Sequence, residues 1–265
     1  MASKTRIDIL LVERGLVKTR ALAQRMVMAG QVRVNDQVML KPSTKVAGGA
    51  NLTLDEGPRY VSRGGEKLEG ALDDFKIDVA GLTCADVGAS TGGFTDCLLQ
   101  HGAKKVYAID VGKGILHWKL RQDARVVVME QTNARYVEKL PETMELVTID
   151  VSFISLKVLL PVVKNWFGEA GGQVIALIKP QFEAGRSIAA KGKGVIRDPE
   201  VHRQVLEDVL GFAEEQGFGV RGLTRSPLVG PKGNVEFLGL LDYPLKETII
   251  IEELVSSIIV QTESD

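Results

Sequence analysis

A chain of 265 residues, 45% of them apolar, suits one large domain or two modest ones and can bury a sizeable core. Two cysteines and three scattered histidines exclude a disulfide framework and a cysteine-only zinc site, and the absence of an apolar run of about 18 residues excludes a spanning helix. The net charge of −1 hides an asymmetry, because residues 1–67 hold 12 Lys/Arg against 6 Asp/Glu, which leaves −7 for the remainder. A basic first segment on an acidic body points to a polyanion-binding module joined to something else. Met1 is followed by polar and charged residues rather than a signal peptide, so a cytoplasmic location is expected.

Arg6 to Glu13 places Ile7, Leu10 and Leu11 at helical spacing, and Gly15 ends the run. Thr19 opens a second helix, closed by Gly30, with Leu22, Met26 and Ala29 expected on one face and Arg20 and Arg25 elsewhere. The stretch from Gln31 to Val46 alternates around Asn35-Asp36, the mark of a small hairpin, and Asn51 to Asp55 adds a short strand. Two short helices followed by V-R-V-N-D resemble the S4-type RNA-binding module over roughly residues 4–62. That resemblance implies RNA binding by shape and phosphate contact, with Arg6, Lys18, Arg20, Arg25, Arg33 and Lys41 as candidate contacts. Any one of these cations is explained equally well as solvated surface; the basic excess and the module pattern together favour RNA.

Pro58, Gly64 and Gly65 break regular structure, so residues 58–65 are expected to join a domain of residues 1–62 to a second domain of residues 63–246. Arg59 and Arg63 add positive charge there, and Arg63 joins the candidate RNA contacts. A helix is expected from Glu66 to Phe75. Strands then alternate with helices: strands at 82–86, 106–110, 125–129, 146–150 and 173–179, helices at 94–100, 115–121 and 155–167. A polar loop is expected from Pro180 to Arg197, then a helix from Asp198-Pro199 to Gln216, capped by Asp198 with Pro199 in its first turn. Strands at 219–226 and 235–241 form a terminal hairpin around Pro231 to Asn234, and residues 247–265 form a last helix and tail. This pattern predicts an α/β fold, a mostly parallel Rossmann-like sheet with helices on both faces, of the class I methyltransferase type.

Leu82 to Gly102 reads as strand, glycine turn and helix, the arrangement that builds a nucleotide crevice. Dinucleotide enzymes have glycine at the second position of that turn, where the backbone meets a pyrophosphate. Ser90 stands there instead, which argues for a ligand without a pyrophosphate, such as S-adenosylmethionine. Asp110 ends the next strand, where a carboxylate can bind both ribose hydroxyls, and Asn133 is expected to read the adenine edge. Asp86, Gly88, Ala89, Ser90, Gly92, Gly93, Phe94, Asp110 and Asn133 are therefore the candidate cofactor contacts. No metal-ligand spacing is present, and no metal is expected.

Four charges fall where structure alone explains them poorly. Lys67 opens the first helix of the second domain, Asp150 and Lys179 end apolar strands, and Glu236 begins the last strand. Carboxyl ends of strands are where open α/β sheets bind ligands. D-V-G-A-S-T-G-G-F-T with these four residues resembles the FtsJ/RrmJ-like ribose 2′-O-methyltransferases. With R-G-G-E-K-L, D-V-S-F-I-S, I-K-P-Q-F-E and the S4-like segment, the chain is similar to the TlyA, or hemolysin A, family from residue 4 to about 245. The resemblance implies methylation of cytidine ribose in ribosomal RNA, with Lys67, Asp150, Lys179 and Glu236 as the catalytic tetrad.

The chemistry fits these residue types. A ribose hydroxyl is a poor nucleophile, so an enzyme must align it with the methyl donor and remove its proton. Lys179 is the expected base, Asp150 its orienting partner, and Lys67 and Glu236 the groups that position the ribose. Residues 181–197 carry Arg186, Lys191 and Lys193 among glycines, as a loop closing over ligand or as plain surface. A small-molecule methyltransferase or other nucleotide-binding enzyme, a non-catalytic ribosome-assembly factor and a membrane-lytic protein are the rival readings. The basic N-terminal module argues against the first, the tetrad against the second, and the absence of a spanning segment or strongly amphipathic basic helix against the third.

Overall fold

The structure, a computed structural model, describes residues 4–55 and 57–263. The chain forms two compact units, Met1–Arg59 and Tyr60–Asp265. In the first, strand β1 (Lys4–Arg6) leads into helices α1 (Ile7–Glu13) and α2 (Arg20–Met28), followed by β2 (Val32–Val34), β3 (Gln37–Met39), β4 (Lys45–Ala47) and β5 (Leu52–Leu54). β2 pairs antiparallel with both β3 and β5, and β1 pairs antiparallel with β4. Asn35 and Asp36 both take positive φ (47° and 68°), as a two-residue turn matched to the strand twist requires. Thr19 caps α2 by accepting a hydrogen bond from the Leu22 amide. The face that α2 buries is Ala23 and Val27; Leu22 and Met26 flank the core and Ala29 is exposed, a correction to the expected stripe.

The second unit begins with Tyr60. Its ring is buried against Gly65, where a Cβ would come within 2.2 Å of it, and the Val61 amide donates to Asp96 Oδ2 at 2.9 Å. The latter half of the expected joint is thus packed structure. Helix α3 (Gly64–Phe75) precedes β6 (Thr83–Val87), α4 (Gly93–Gln100), β7 (Lys105–Ile109), α5 (Trp118–Arg121), β8 (Val126–Met129), β9 (Leu146–Ile149), α6 (Leu156–Val163) and β10 (Gly172–Ile178). Then come α7 (Pro180–Glu183), α8 (Arg186–Lys191), α9 (Pro199–Glu215), β11 (Gly219–Arg225), β12 (Phe237–Tyr243) and α10 (Ile251–Glu263).

These strands form one seven-stranded sheet in the order β8-β7-β6-β9-β10-β12-β11. Only β12 runs antiparallel to its neighbours, inserted between β10 and β11. Alternate strand residues feed two cores, as a sheet covered on both faces demands. Val147, Ile149, Val174 and Ala176 pack with α6, α9 and α10, while Leu146, Ile175 and Leu177 pack with α3 and α4. Both cysteines are buried. α10 presents Val255, Ile258 and Ile259 to the first of these cores, so the expected tail is largely packed helix.

Three expectations need correction. The polar stretch 180–197 is not all loop. Pro180 starts α7 with its fixed φ, and α8 follows Gly185. The helix expected over 155–167 is α6, with Pro161 inside it, continued by a 3-10 turn at Lys164–Trp166. Helix α5 covers only Trp118–Arg121, because His117 is its N-cap with non-helical, extended backbone (φ −58°, ψ 138°) and breaks the expected helix there.

Candidate active site

Register along the sheet brings the functional side chains to one edge. Val87 pairs with Ile149, so β6 and β9 release Gly88 and Asp150 side by side. Gly88 has φ +84°, and a Cβ there would lie 2.3 Å from the Asp150 carbonyl oxygen. Only glycine passes this point without moving β9. Ser90 also adopts positive φ (50°) and donates its backbone N–H to Asp110 Oδ2 at 2.8 Å. Asp110 Oδ1 accepts the Gly112 amide at 2.7 Å. An ionised carboxylate has about four lone-pair sites, so Asp110 keeps acceptor capacity towards the cavity beside it.

That cavity holds about 420 Å³, between Asp110, Asn133, Ile109, Val111, Ile115 and Phe153. Asn133 Oδ1 accepts the Arg135 amide at 3.1 Å, which fixes the side chain at the rim. Ala89, Phe94, Gly93 and Arg63 line an adjoining cavity of about 490 Å³. Two expected cofactor contacts lie elsewhere. Asp86 is fully buried beneath the turn, accepting hydrogen bonds from Thr95 Oγ1 at 2.6 Å and Thr148 Oγ1 at 3.3 Å. Burial raises its pKa to about 7, against the opposing pull of the Thr95 hydrogen bond. Gly92 (φ +99°) faces Leu120, whose Cδ1 would meet a Cβ at 2.1 Å. Asp86 and Gly92 therefore support the turn from the protein side.

The four expected tetrad residues line one further cavity of about 760 Å³. They are paired. Lys179 Nζ lies 2.5 Å from Asp150 Oδ1 and donates to the Val151 carbonyl at 3.0 Å and Ser152 Oγ at 3.4 Å. Lys67 Nζ lies 2.5 Å from Glu236 Oε2, and both side chains are buried. Gln181 Nε2 donates to the other oxygen, Glu236 Oε1, at 3.0 Å. Gly88, Ser90 and Asp150 border all three cavities, which makes them one cleft.

Two residues of this cleft escaped sequence reasoning. Phe153 takes φ +66° and is 90% exposed, with its ring 4.8 Å from that of Phe182. Its only signal in the sequence is an aromatic just past a strand end. Gln181 Oε1 is buried with no hydrogen-bond partner among the described residues. No spacing rule marks it, since its role depends on Glu236 from the last hairpin.

The candidate RNA residues divide between the units. Arg6 and Arg20 both bind the carboxylate of Asp8, Arg33 donates to the Asp36 carbonyl at 3.3 Å, and Lys18, Arg25 and Lys41 are exposed. Arg63 belongs to the second unit, is exposed, and donates to the Val229 carbonyl at 3.4 Å. Among the described residues no group of three metal-ligating side chains occurs, and no helix is long and apolar enough to cross a membrane.

Residues 60–243 match the FtsJ-like methyltransferase family, and residues 5–52 match the S4 domain. The chain is 44% identical over 241 residues to the 16S/23S rRNA (cytidine-2′-O)-methyltransferase TlyA of Mycobacterium tuberculosis, covering 89% of each chain. It belongs to the TlyA family. YqxC of Bacillus subtilis is 51% identical over 247 residues, covering 92% of this chain and 87% of that one. A solved Streptococcus thermophilus structure that carries the hemolysin name superposes with a TM-score of 0.75 at 46% identity, covering 100% of this chain and 97% of that one. In TlyA-family terms the first unit contains the S4 domain and the second is the methyltransferase domain.

Proposed function

We propose that this TlyA-family protein transfers a methyl group from S-adenosylmethionine to the 2′-hydroxyl of a cytidine ribose in ribosomal RNA. The observation that carries the reading is the pair of ion pairs, Lys179–Asp150 and Lys67–Glu236, on one cleft that continues into the Asp110 cavity. The relative from Mycobacterium tuberculosis is named for this reaction.

The donor set fits an adenosine. Asp110 has lone pairs left for ribose hydroxyls, Asn133 has an amide for a base edge, and Ile109, Val111 and Ile115 supply apolar walls. Gly88, Ala89, Ser90, Gly93 and Phe94 shape the route from there to the tetrad. S-adenosylmethionine bound in this way supplies a methyl group already activated by its sulfonium. The protein's own task is then alignment and proton removal.

Lys179 serves as the base. Its Nζ, an ammonium while it is ion-paired with Asp150, must first give up one proton, and as the amine it then takes that of the 2′-hydroxyl, while Asp150 and the Val151 carbonyl fix where that nitrogen sits. Lys67 donates to a ribose oxygen and is held for this by Glu236, which Gln181 steadies from the other side. Phe153 offers an exposed ring face at the cleft mouth on which a base can stack. Arg6, Lys18, Arg20, Arg25, Arg33, Lys41 and Arg63 serve as phosphate contacts. A ribosomal substrate places the protein in the cytoplasm.

The test is methyl transfer by the full chain from labelled S-adenosylmethionine to unmethylated ribosomal subunits. Label recovered in alkali-resistant cytidine-containing dinucleotides is expected. Label in base carbons or in no RNA would overturn the reading.

A further inference from the structure

Asp8 sits in the first turn of α1, and its side chain is 0% exposed. A buried carboxylate needs its acceptor sites filled. Here Oδ1 accepts from Arg6 Nε at 3.0 Å, and Oδ2 accepts from Arg6 Nη2 at 2.9 Å, Arg20 Nε at 3.0 Å and Gln24 Nε2 at 2.9 Å. Arg6 ends β1, Arg20 opens α2, and Gln24 lies one turn further along α2. One carboxylate therefore gathers two guanidinium groups from separate elements. The Arg6 guanidinium holds the Asp8 carboxyl well below the usual carboxylate range.

The way they are held matters. Asp8 takes Arg6 by its Nε–Nη2 edge and Arg20 by Nε, which leaves Arg6 Nη1 and both Nη groups of Arg20 outside its grip. The two side chains are 36% and 54% exposed, so their free ends reach solvent while their inner ends are fixed. Planar guanidinium groups suit phosphate oxygens, and pre-ordering them lowers the entropy lost on binding.

We propose that Asp8 is a positioning residue for RNA, presenting Arg6 and Arg20 as one fixed pair of donors to the phosphate backbone. This rests on the reading that the first unit binds RNA. It makes an acidic residue necessary on a surface whose ligand is a polyanion, and simple charge arithmetic gives the opposite sign. Removing a negative charge should strengthen binding to RNA and steepen its salt dependence. Removing a positioning group should weaken binding despite the added positive charge.

The experiment measures equilibrium binding of the full chain to unmethylated 16S and 23S rRNA transcripts, with the thermal midpoint followed in parallel. Asp8→Asn is expected to bind about tenfold more weakly, the loss of roughly one charge-assisted hydrogen-bonded contact. In an Arg6→Ala/Arg20→Ala background, Asp8→Asn should cause no further loss, because the groups it positions are gone. Arg20→Lys, which keeps the charge and leaves Asp8 in place, should lose nearly as much as Arg20→Ala, and decides the matter if Asp8→Asn fails to fold. Binding by Asp8→Asn equal to or tighter than wild type would overturn the inference, as would an equal loss in both backgrounds or wild-type affinity in the arginine variants. A wild-type chain that binds neither transcript would remove the RNA reading itself, and the inference with it.

Discussion

Lys179 Nζ meets Asp150 Oδ1 at 2.5 Å across the ends of two neighbouring parallel strands, β10 and β9. The pair is built by register, since each residue is the first beyond its strand. If Lys179 is the base, Lys179→Ala should lower single-turnover methyl transfer by about 10²–10⁴-fold. Cofactor binding by calorimetry should stay within about twofold, because the residues that line the Asp110 cavity do not include Lys179. Lys179→Arg should not restore the rate, since a guanidinium does not give up its proton near neutral pH.

The second pair predicts a stability effect. Lys67 and Glu236 are both buried, with side chains 11% and 2% exposed. Removing one partner leaves the other charge uncompensated, so Lys67→Met or Glu236→Leu should each cost about 3–5 kcal/mol in urea unfolding. The double variant should cost clearly less than the sum, and additivity would mean that the ion pair is not what holds these side chains.

Gly88→Ala combines two penalties, a positive φ and a Cβ 2.3 Å from the Asp150 carbonyl. Relief requires the turn or the end of β9 to move. Loss of about 1–3 kcal/mol of stability is expected, with a greater than tenfold loss of cofactor affinity. Calorimetry and thermal melts on the same preparation check both.

Asp86 should make stability fall as pH rises. Its folded pKa of about 7 lies above the unfolded carboxylate value of about 3.9, so the unfolded chain ionises first. The favourable contribution is complete below about pH 4 and is lost as pH climbs towards 7. Asp86→Asn removes this dependence, so its thermal midpoint relative to wild type should rise between pH 5 and 8. A constant difference across that range would show that Asp86 is ionised in the folded protein.

Phe153→Ala tests the cleft mouth. A ring 90% exposed contributes little to folding, so stability should change by less than about 0.5 kcal/mol. Stacking on a base is worth about 1–3 kcal/mol, so the KM for RNA should rise about 5- to 150-fold while cofactor affinity stays near wild type.

Much of this was legible because the sheet writes itself into the sequence. Apolar runs ending in Asp110, Asp150 and Lys179 marked both the strands and the edge where ligands bind. Ser90 in a glycine-rich turn pointed away from a pyrophosphate. The Lys179–Asp150 pair was expected from the two strand ends, but the Lys67–Glu236 pair was not legible, because no spacing says that Lys67 meets Glu236; that follows from β12 inserting between β10 and β11. Strand β1 is three residues long and pairs with β4 far along the chain, too short a run for periodicity to show. Asp86 looked like a ligand contact because it ends a strand in the glycine motif, but its side chain points into the protein to Thr95 and Thr148. α7 and α8 hid in a stretch rich in glycine and charge, where a proline that usually breaks a helix instead starts one.

The most direct test of the central claim is a map of 2′-O-methyl groups on 16S and 23S rRNA from cells lacking this protein, complemented with either the wild-type chain or Lys179→Ala. A cytidine 2′-O-methyl that returns with the wild type and not with Lys179→Ala, at equal protein levels, is the predicted result. Maps that do not differ between the two would contradict the account.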